Sequence, residues 1–497
     1  MSKPIDYERI CELARELRRP QSTLIALSPQ NDPFYMIPSR RRDAEWFAKL
    51  WHTHGFGADT HTRRVHYRLV SQPTPVLLPD GTPYENTLAC SAKLDSASCD
   101  ARYMELIPAE HIVDRRNDEA EIRYSADETV AGSFLSNDDK QLHFSVQQQF
   151  FVSTLPDPPR LLVFKPTIPQ PFMVEIWVEK STMRDVIDPI ARRYDVNVVT
   201  GAGHTSETRC RELIARASEI GKPVRVLYVS DFDPDGDNMP IGAARKMEFY
   251  ILRDAPDLDM QVRAVALTQE QCKQYRLPRT PLKESHRAKA AWEDRQGGGA
   301  TELDALEALH PGALRRILVE EIERYYDDTL NGRINETFAE VSGEFNEVND
   351  EVLAEHQTEF DQVKKQHAAL NELVAERLRA VEKEFAPRYR KLGRLMKTQW
   401  DETAQKLRDR APDLDLVDWP EPQEADEDVD PLFDSTRGYL EQIDRYKEHQ
   451  DKSTVRRKGV RGGTGWKVGR KRGPMSEEQK EARRRTWARK LGKEAAP

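Results

Sequence analysis

Val224-Arg-Val-Leu-Tyr-Val-Ser230 runs directly into Asp231-Phe-Asp233-Pro-Asp235-Gly-Asp237. An apolar run rich in β-branched residues that stops abruptly reads as a buried strand of a parallel sheet with acids at its C-terminal tip. Pro234 and Gly236 end the strand and force a turn. Residues two apart on an extended backbone point the same way, so the spacing predicts that Asp231, Asp233 and Asp235 converge on one spot. Carboxylates so close repel one another. A hard divalent cation relieves the repulsion, and Mg²⁺, with Mn²⁺ as a substitute, takes a few carboxylates together with waters and phosphate oxygens. Two blander readings stand beside this one, an acidic surface turn and a calcium loop. The calcium loop fails on its twelfth position, which is Gly242 rather than the required Glu.

Working outward, Phe172-Met-Val-Glu-Ile-Trp-Val178 is a second strand ending in an acid, Glu179, followed by Lys180. Ser181 or Thr182 opens a helix over Arg184–Tyr194. Val196–Thr200 is a strand, Gly201-Ala-Gly203-His204 a turn and Glu207–Ile220 a helix, and Met260–Leu267 adds a strand beyond the central one. The order β-α-β-α-β predicts a doubly wound parallel α/β sheet, in which function gathers at the carboxyl ends of the strands. Glu179, Asp231 and Asp233 all fall at such ends.

Upstream, Tyr7–Arg18 reads as an amphipathic helix, and a second helix carries Trp46, Phe47, Leu50 and Trp51. Val65, Leu69 and Val70 sit at helical spacing. Val76–Tyr84 reads as a hairpin around Pro79-Asp-Gly, and Ala92–Leu106 as a further helix. Helices with a hairpin fit a winged-helix DNA reader. Downstream, the composition turns helical from Leu314 to Arg410, with apolar residues at steps of four and three from Ile334 to Val352, predicting a coiled coil or an antiparallel pair of long helices. His356 and His367 mark a break or hairpin, and Pro387 is expected to end or kink the second arm. Asp413–Asp434 reads as an acidic linker. The expected organisation is 1–125, N-terminal helices and winged helix; 126–170, connecting strands; 171–312, the metal-binding sheet domain; 313–410, the helical arm; 411–450, the acidic linker; and 451–497, a basic tail.

Charge is segregated. The whole chain carries −9, yet residues 451–497 hold 16 Lys and Arg against 5 Asp and Glu, so the tail is +11 and the remainder −20. Arg456, Arg457, Lys458, Arg470, Lys471 and Arg472 form its basic clusters, and such a tail suits a polyanion. Gly469-Arg-Lys-Arg-Gly-Pro is loosely like a minor-groove hook. Gly462-Gly-Thr-Gly465 lacks the Gly-Lys-Ser/Thr ending of a phosphate loop, and a solvated tail is the blander reading. The 5 cysteines are scattered, with no Cys-x-x-Cys spacing, which argues for reduced thiols and against structural zinc. No signal core or membrane-length apolar run is seen, so a cytoplasmic, nucleoid- or plasmid-associated protein is expected.

Val178-Glu179-Lys180, Thr200-Gly201-Ala-Gly203-His204 and Asp231-Phe-Asp233-Pro-Asp235-Gly236 together resemble the Toprim domain of the topoisomerase VI A subunit and the related meiotic double-strand-break protein. Arg63-Arg-Val-His-Tyr67 is similar to that family's winged-helix motif, Arg-x-Ile-Tyr-Tyr, and the order of the two domains agrees. The likeness spans roughly residues 35–310 and is nearest to the orphan Mini-A type of bacteria and plasmids. His66 stands where the family has the first tyrosine, His61 where it has a threonine, and Asp235 where an aromatic is usual.

The resemblance implies an Mg²⁺-dependent type IIB topoisomerase-like enzyme acting on double-stranded DNA. Tyr67 would attack a phosphodiester to give a 5′-phosphotyrosyl link and Arg63 would neutralise the phosphate. Glu179, Asp231 and Asp233, with Asp235 in support, would hold the metal, and Glu179 would also move a proton at the 3′ oxygen. Arg64, Arg68 and Lys180 are expected on the DNA backbone. The tyrosine and metal are implied to meet across a homodimer, giving a double-strand break. The sequence has no Walker loop or ATP lid, so a separate B-type ATPase subunit is implied or ATP is not used. Two alternatives stay open: a Toprim nuclease that hydrolyses DNA with water, and a non-enzymatic DNA-organising protein.

Overall fold

The computed structural model describes residues 5–115, 117–136, 145–146, 150–151, 154–201, 206–282, 289–376, 382–426 and 429–451. The chain is mixed α/β and divides into two compact units, each interrupted in sequence. The first comprises 1–126, 170–327 and 424–461; the second comprises 127–169, 328–423 and 462–497.

The first unit is built on a five-stranded sheet. Its spatial order is Asn197–Thr200, Met173–Val178, Val224–Val229, Met260–Ala266 and Phe433–Asp434. The first four strands are parallel and the last is antiparallel. Every residue of Val224–Val229 is buried, as an apolar run covered on both faces requires. On one face, Leu213, Ile214 and Ala217 of the Glu207–Ile220 helix and Met247, Tyr250 and Ile251 of the Pro234–Asp254 helix pack on Val226 and Tyr228. On the other, Ile187 and Ile190 of Arg184–Tyr194 and Leu314 and Leu318 of Ala313–Ile322 pack on Ile176, Leu227 and Val229. Arg225 remains charged inside the central strand because Asp259 accepts from it at 2.9 Å and its guanidinium lies over the Phe172 ring at 4.6 Å.

Three helices, Pro38–Thr53, Thr62–Val70 and Leu88–Tyr103, enclose a separate core of the same unit made by Phe47, Trp51, Val65, Leu69, Leu94 and Ala97. A hairpin bridging Leu77 and Pro83 joins the last two, and Trp46 Nε1 donates to the Leu77 carbonyl at 2.8 Å. Buried Arg40 pairs with Asp100 at 2.5 Å, tying the first helix to the third.

Two expectations change here. Ala313–Ile322, which helical composition joined to the arm, belongs to the sheet unit, because Leu314, Leu318 and Ile322 are all fully buried against it. The stretch expected to be an acidic linker contributes the antiparallel edge strand Phe433–Asp434, while the short helix that the sequence suggests over Tyr439–Tyr446 is present as Tyr439–Asp451 and packs on Pro234–Asp254. A two-residue strand has no readable periodicity, so acidic composition concealed it.

In the second unit, Gly132–Ser136 pairs antiparallel with Arg160–Phe164. Leu161 of this ribbon packs with Val341, Phe345 and Val352 of the Leu330–Glu355 helix, and Asn349 both accepts from and donates to the Leu161 backbone at 2.8 Å. The Gln357–Glu376 and Glu382–Arg410 helices pack through Phe360, Val363, Leu392, Met396 and Trp400. The helix breaks at His356, whereas His367 lies inside Gln357–Glu376. Pro387 lies inside Glu382–Arg410, and the helix continues through it instead of ending there. No helix among the described residues is long and apolar enough to cross a membrane. All five cysteines are free thiols.

Candidate active site

Glu179 and Asp231 each lie just beyond the carboxyl end of a central strand. The ladder continues through Glu179 N–H donating to the Val229 carbonyl at 3.0 Å, which sets the two acids side by side. Asp231 N–H donates to Glu179 Oε2 at 3.2 Å. The Asp231 carboxylate is itself held at both oxygens. Leu303 N–H donates to Oδ1 at 2.8 Å, and Lys180 Nζ lies 2.7 Å from Oδ2. The same ammonium is 3.2 Å from Glu302 and 3.4 Å from Asp304.

Asp233 keeps the extended backbone expected of it, but Asp235 does not. The backbone turns helical at Pro234, so Asp235 lies in the first turn of Pro234–Asp254 rather than on the strand. Proline is well suited to open a helix, since its missing N–H would have no helical partner there. Asp233 is the N-cap: its Oδ1 accepts from Asp235 N–H at 2.9 Å and Gly236 N–H at 2.6 Å. Gly236 is needed where the turn folds back. A β-carbon there would stand 2.1 Å from the Asp231 carbonyl oxygen.

These acids feel one another. Burial raises the Glu179 pKa above the usual carboxylate range, and the Asp231 and Asp233 charges add to it, against the Asp231 N–H and Lys180. Burial raises Asp233 as well, with Asp231 and Asp235 adding and the Gly236 and Asp235 N–H groups opposing. Lys180 is raised too: burial opposes its charge, but Asp231 and Glu302 outweigh it. Among the described residues no three acid, histidine or cysteine side chains form a ready metal-binding group. The donor set nevertheless suits a hard divalent ion. Glu179 and Asp233 offer oxygens alone, both are pushed toward neutrality by burial and, to a lesser degree, by neighbouring charge, and each commits one oxygen to backbone N–H groups, leaving the other uncommitted among the described residues.

The candidate tyrosine lies in the three-helix part. His61 caps Thr62–Val70 by accepting from Arg63 N–H at 3.0 Å. Val65, His66 and Leu69 face inward, while Arg63, Arg64, Tyr67 and Arg68 face solvent, Tyr67 at 60% exposure. The Tyr67 hydroxyl has no hydrogen-bond partner among the described residues. Beneath it, His66 Nδ1 meets the Tyr84 hydroxyl at 2.6 Å and Nε2 meets Asn86 Oδ1 at 3.0 Å, pinning the helix to the hairpin strand.

The structure thus brings Glu179, Lys180, Asp231 and Asp233 together, whereas Arg63 and Tyr67 lie on the exposed side of a helix whose inner face packs in a different core. Ala202–Thr205, including Gly203 and His204, lie outside the described residues, as do Arg456, Arg457, Lys458, Arg470, Lys471 and Arg472 of the tail. Sequence reasoning missed Glu302 and Asp304. Their acid-x-acid spacing repeats Asp231-Phe-Asp233 and follows the glycines at 297–299, which was the available signal. It also missed the direct grip of Lys180 on Asp231. No protein-family model matches this sequence, and no curated protein matches it.

Proposed function

We propose that this protein cleaves double-stranded DNA through Tyr67, with a divalent cation at the sheet-end acids, in the manner of a type IIB topoisomerase A subunit. The reading is carried by one observation: Tyr67 lies on a solvent-facing helical surface between Arg63, Arg64 and Arg68 with no hydrogen-bond partner for its hydroxyl among the described residues, while His66, whose ring it meets edge-on, is buried and pinned. An exposed tyrosine among three arginines contributes little to packing but suits a phosphodiester. In this reading the three-helix part is a winged helix and the sheet a Toprim domain.

The chemistry follows from the residues. The Tyr67 oxygen, its phenolic proton lost to solvent, attacks phosphorus, forming a 5′-phosphotyrosyl ester while the bond to the 3′ oxygen breaks and that oxygen takes up a proton as a hydroxyl. Arg63, one helical turn before Tyr67, neutralises the phosphate oxygens and favours the phenolate. Glu179, whose proton affinity is raised, supplies or recovers the proton at the 3′ oxygen. Glu179 and Asp233, with Asp231 and Asp235 beside them, would hold Mg²⁺ or Mn²⁺, which would supply charge neutralisation at the phosphate. In this reading, as the resemblance implies, Tyr67 and the acids meet across a homodimer. A B-type ATPase partner is compatible with the reading and is not required for cleavage.

The test is to trap a covalent protein–DNA adduct by denaturing the full-length protein during reaction with Mn²⁺ and duplex DNA. Wild type yields an adduct at the 5′ end and Tyr67→Phe yields none. If Tyr67→Phe cuts as well as wild type, the protein is a hydrolytic nuclease. If neither cuts and Asp231→Ala changes no measurable property, it is a DNA-organising protein.

A further inference from the structure

Lys180 is out of character for a residue whose expected task is to touch DNA phosphate. Its ammonium is turned inward, onto Asp231 Oδ2 at 2.7 Å, with Glu302 and Asp304 at 3.2 and 3.4 Å. Its side chain is 25% exposed and that of Asp231 is 7% exposed, so the pair is shielded on one side and open on the other. The partners are unequal. Asp231 is buried and its Oδ1 is fixed by Leu303 N–H, whereas the side chains of Glu302 and Asp304 are 62% and 48% exposed. Oδ2 is therefore the oxygen of Asp231 that can change partners. An ammonium already within reach of two other carboxylates gives up Oδ2 without losing all of its charge compensation. Those two carboxylates flank Leu303, the residue that fixes Oδ1, so the receiving acids are held in place by the same aspartate that lets the lysine go.

We propose that Lys180 is a resident stand-in for a divalent cation: it neutralises Asp231 in the metal-free protein and moves onto Glu302 and Asp304 when the ion takes Asp231 Oδ2. The idea rests on the metal-site reading above and adds to it three roles. Lys180 is a competitor for the ion rather than a phosphate contact, and Glu302 and Asp304 are its receivers, positioning residues that need not touch the ion. The arrangement makes occupancy a competition between one monovalent and one divalent charge. It keeps the crowded acids compatible with folding when no ion is bound, at the cost of weaker ion binding.

The experiment is calorimetric titration of Mn²⁺ alone into the full-length protein, without DNA. Lys180→Met is expected to bind Mn²⁺ about tenfold or more tightly than wild type, since one cation beside the ion is removed. Lys180→Arg, which keeps the charge, is expected to bind no tighter than wild type. Glu302→Gln with Asp304→Asn is expected to weaken binding several-fold in the wild-type background and by less than about twofold in the Lys180→Met background, because those acids act through the lysine. Equal or weaker Mn²⁺ binding by Lys180→Met than by wild type overturns the proposal while leaving the metal site standing. Equal losses in both backgrounds overturn the receiving role of Glu302 and Asp304. If Lys180→Met does not fold, tighter binding by Lys180→Arg, or no effect of the acid pair in the wild-type background, overturns it. Absence of Mn²⁺ uptake by both wild type and Lys180→Met overturns the metal-site reading itself.

Discussion

Gly236 stands against Asp231 so closely that a β-carbon on the glycine would fall 2.1 Å from the aspartate carbonyl oxygen. The contact is backbone against backbone, so no side-chain rotation relieves it. It is what lets the chain leave the central strand, place Asp233 as a helix cap and start the Pro234–Asp254 helix in three residues. Gly236→Ala is accordingly expected to cost roughly 2–4 kcal/mol. Gly242 in the same helix has nothing within 4 Å of its would-be β-carbon. There Gly242→Ala is expected to add stability, up to about 1 kcal/mol, through helix propensity alone. Urea unfolding of the two variants checks the contrast, and similar effects of both would refute it.

The acids at the sheet end hold charge that the fold disfavours. Burial and mutual repulsion raise the proton affinity of Glu179 and Asp233, so their charged forms destabilise the metal-free protein at neutral pH. Glu179→Gln and Asp233→Asn remove charge, and Asn retains the ability to cap the helix. Each variant is expected to melt about 1–2 °C higher than wild type without metal, and to lose the added melting temperature that Mn²⁺ gives wild type. Lower melting of both variants without metal would contradict this account.

Arg245 is fully buried, with Asp32 at 3.1 Å and Glu248 at 2.9 Å, and its guanidinium lies 4.0 Å from the centre of the Phe34 ring. Arg245→Met leaves two buried carboxylates without their cation and is expected to cost about 3–5 kcal/mol. The loss should depend on pH. Burial already raises the Glu248 pKa and Arg245 holds it down, so the substitution raises it further. A carboxyl whose folded pKa exceeds its unfolded value binds more protons when folded. Its contribution is whole below the ordinary carboxylate range and is lost as pH rises through the folded value. The stability of Arg245→Met should therefore fall more steeply than that of wild type as pH rises above the ordinary carboxylate range, and parallel urea midpoints would argue against the pairing.

Removing residues 452–497 takes away all 16 Lys and Arg of the tail. DNA affinity is expected to fall, and the slope of log affinity against log salt to flatten, because fewer counterions are released on binding. A slope identical to that of the full chain would assign the tail another role.

The parallel sheet and its acids were legible because its two central strands, Met173–Val178 and Val224–Val229, are largely apolar runs that give way to Glu179 and to Asp231. The helix Thr62–Val70 was legible from Val65 and Leu69. What escaped had no local signal. Phe433–Asp434 is a strand only because Met260–Ala266 offers it an edge. The alternation that pointed Asp235 at the strand tip gave way to Pro234, which begins a helix. Lys180 reads as a surface cation until Asp231, Glu302 and Asp304 are brought around it from positions 51 to 124 residues away in the chain.

The edge strand Phe433–Asp434 and the helix Tyr439–Asp451 are also the last parts of the sheet unit to leave the ribosome, after the whole 328–423 excursion has been made. Until they arrive, the nascent chain has Met260–Ala266 as an unpaired border, and Arg245 lacks the Tyr439 hydroxyl that meets it at 2.8 Å. Premature termination anywhere before Phe433 would therefore release a polypeptide with an open β-edge and an uncovered apolar face, a species made for aggregation rather than for partial activity.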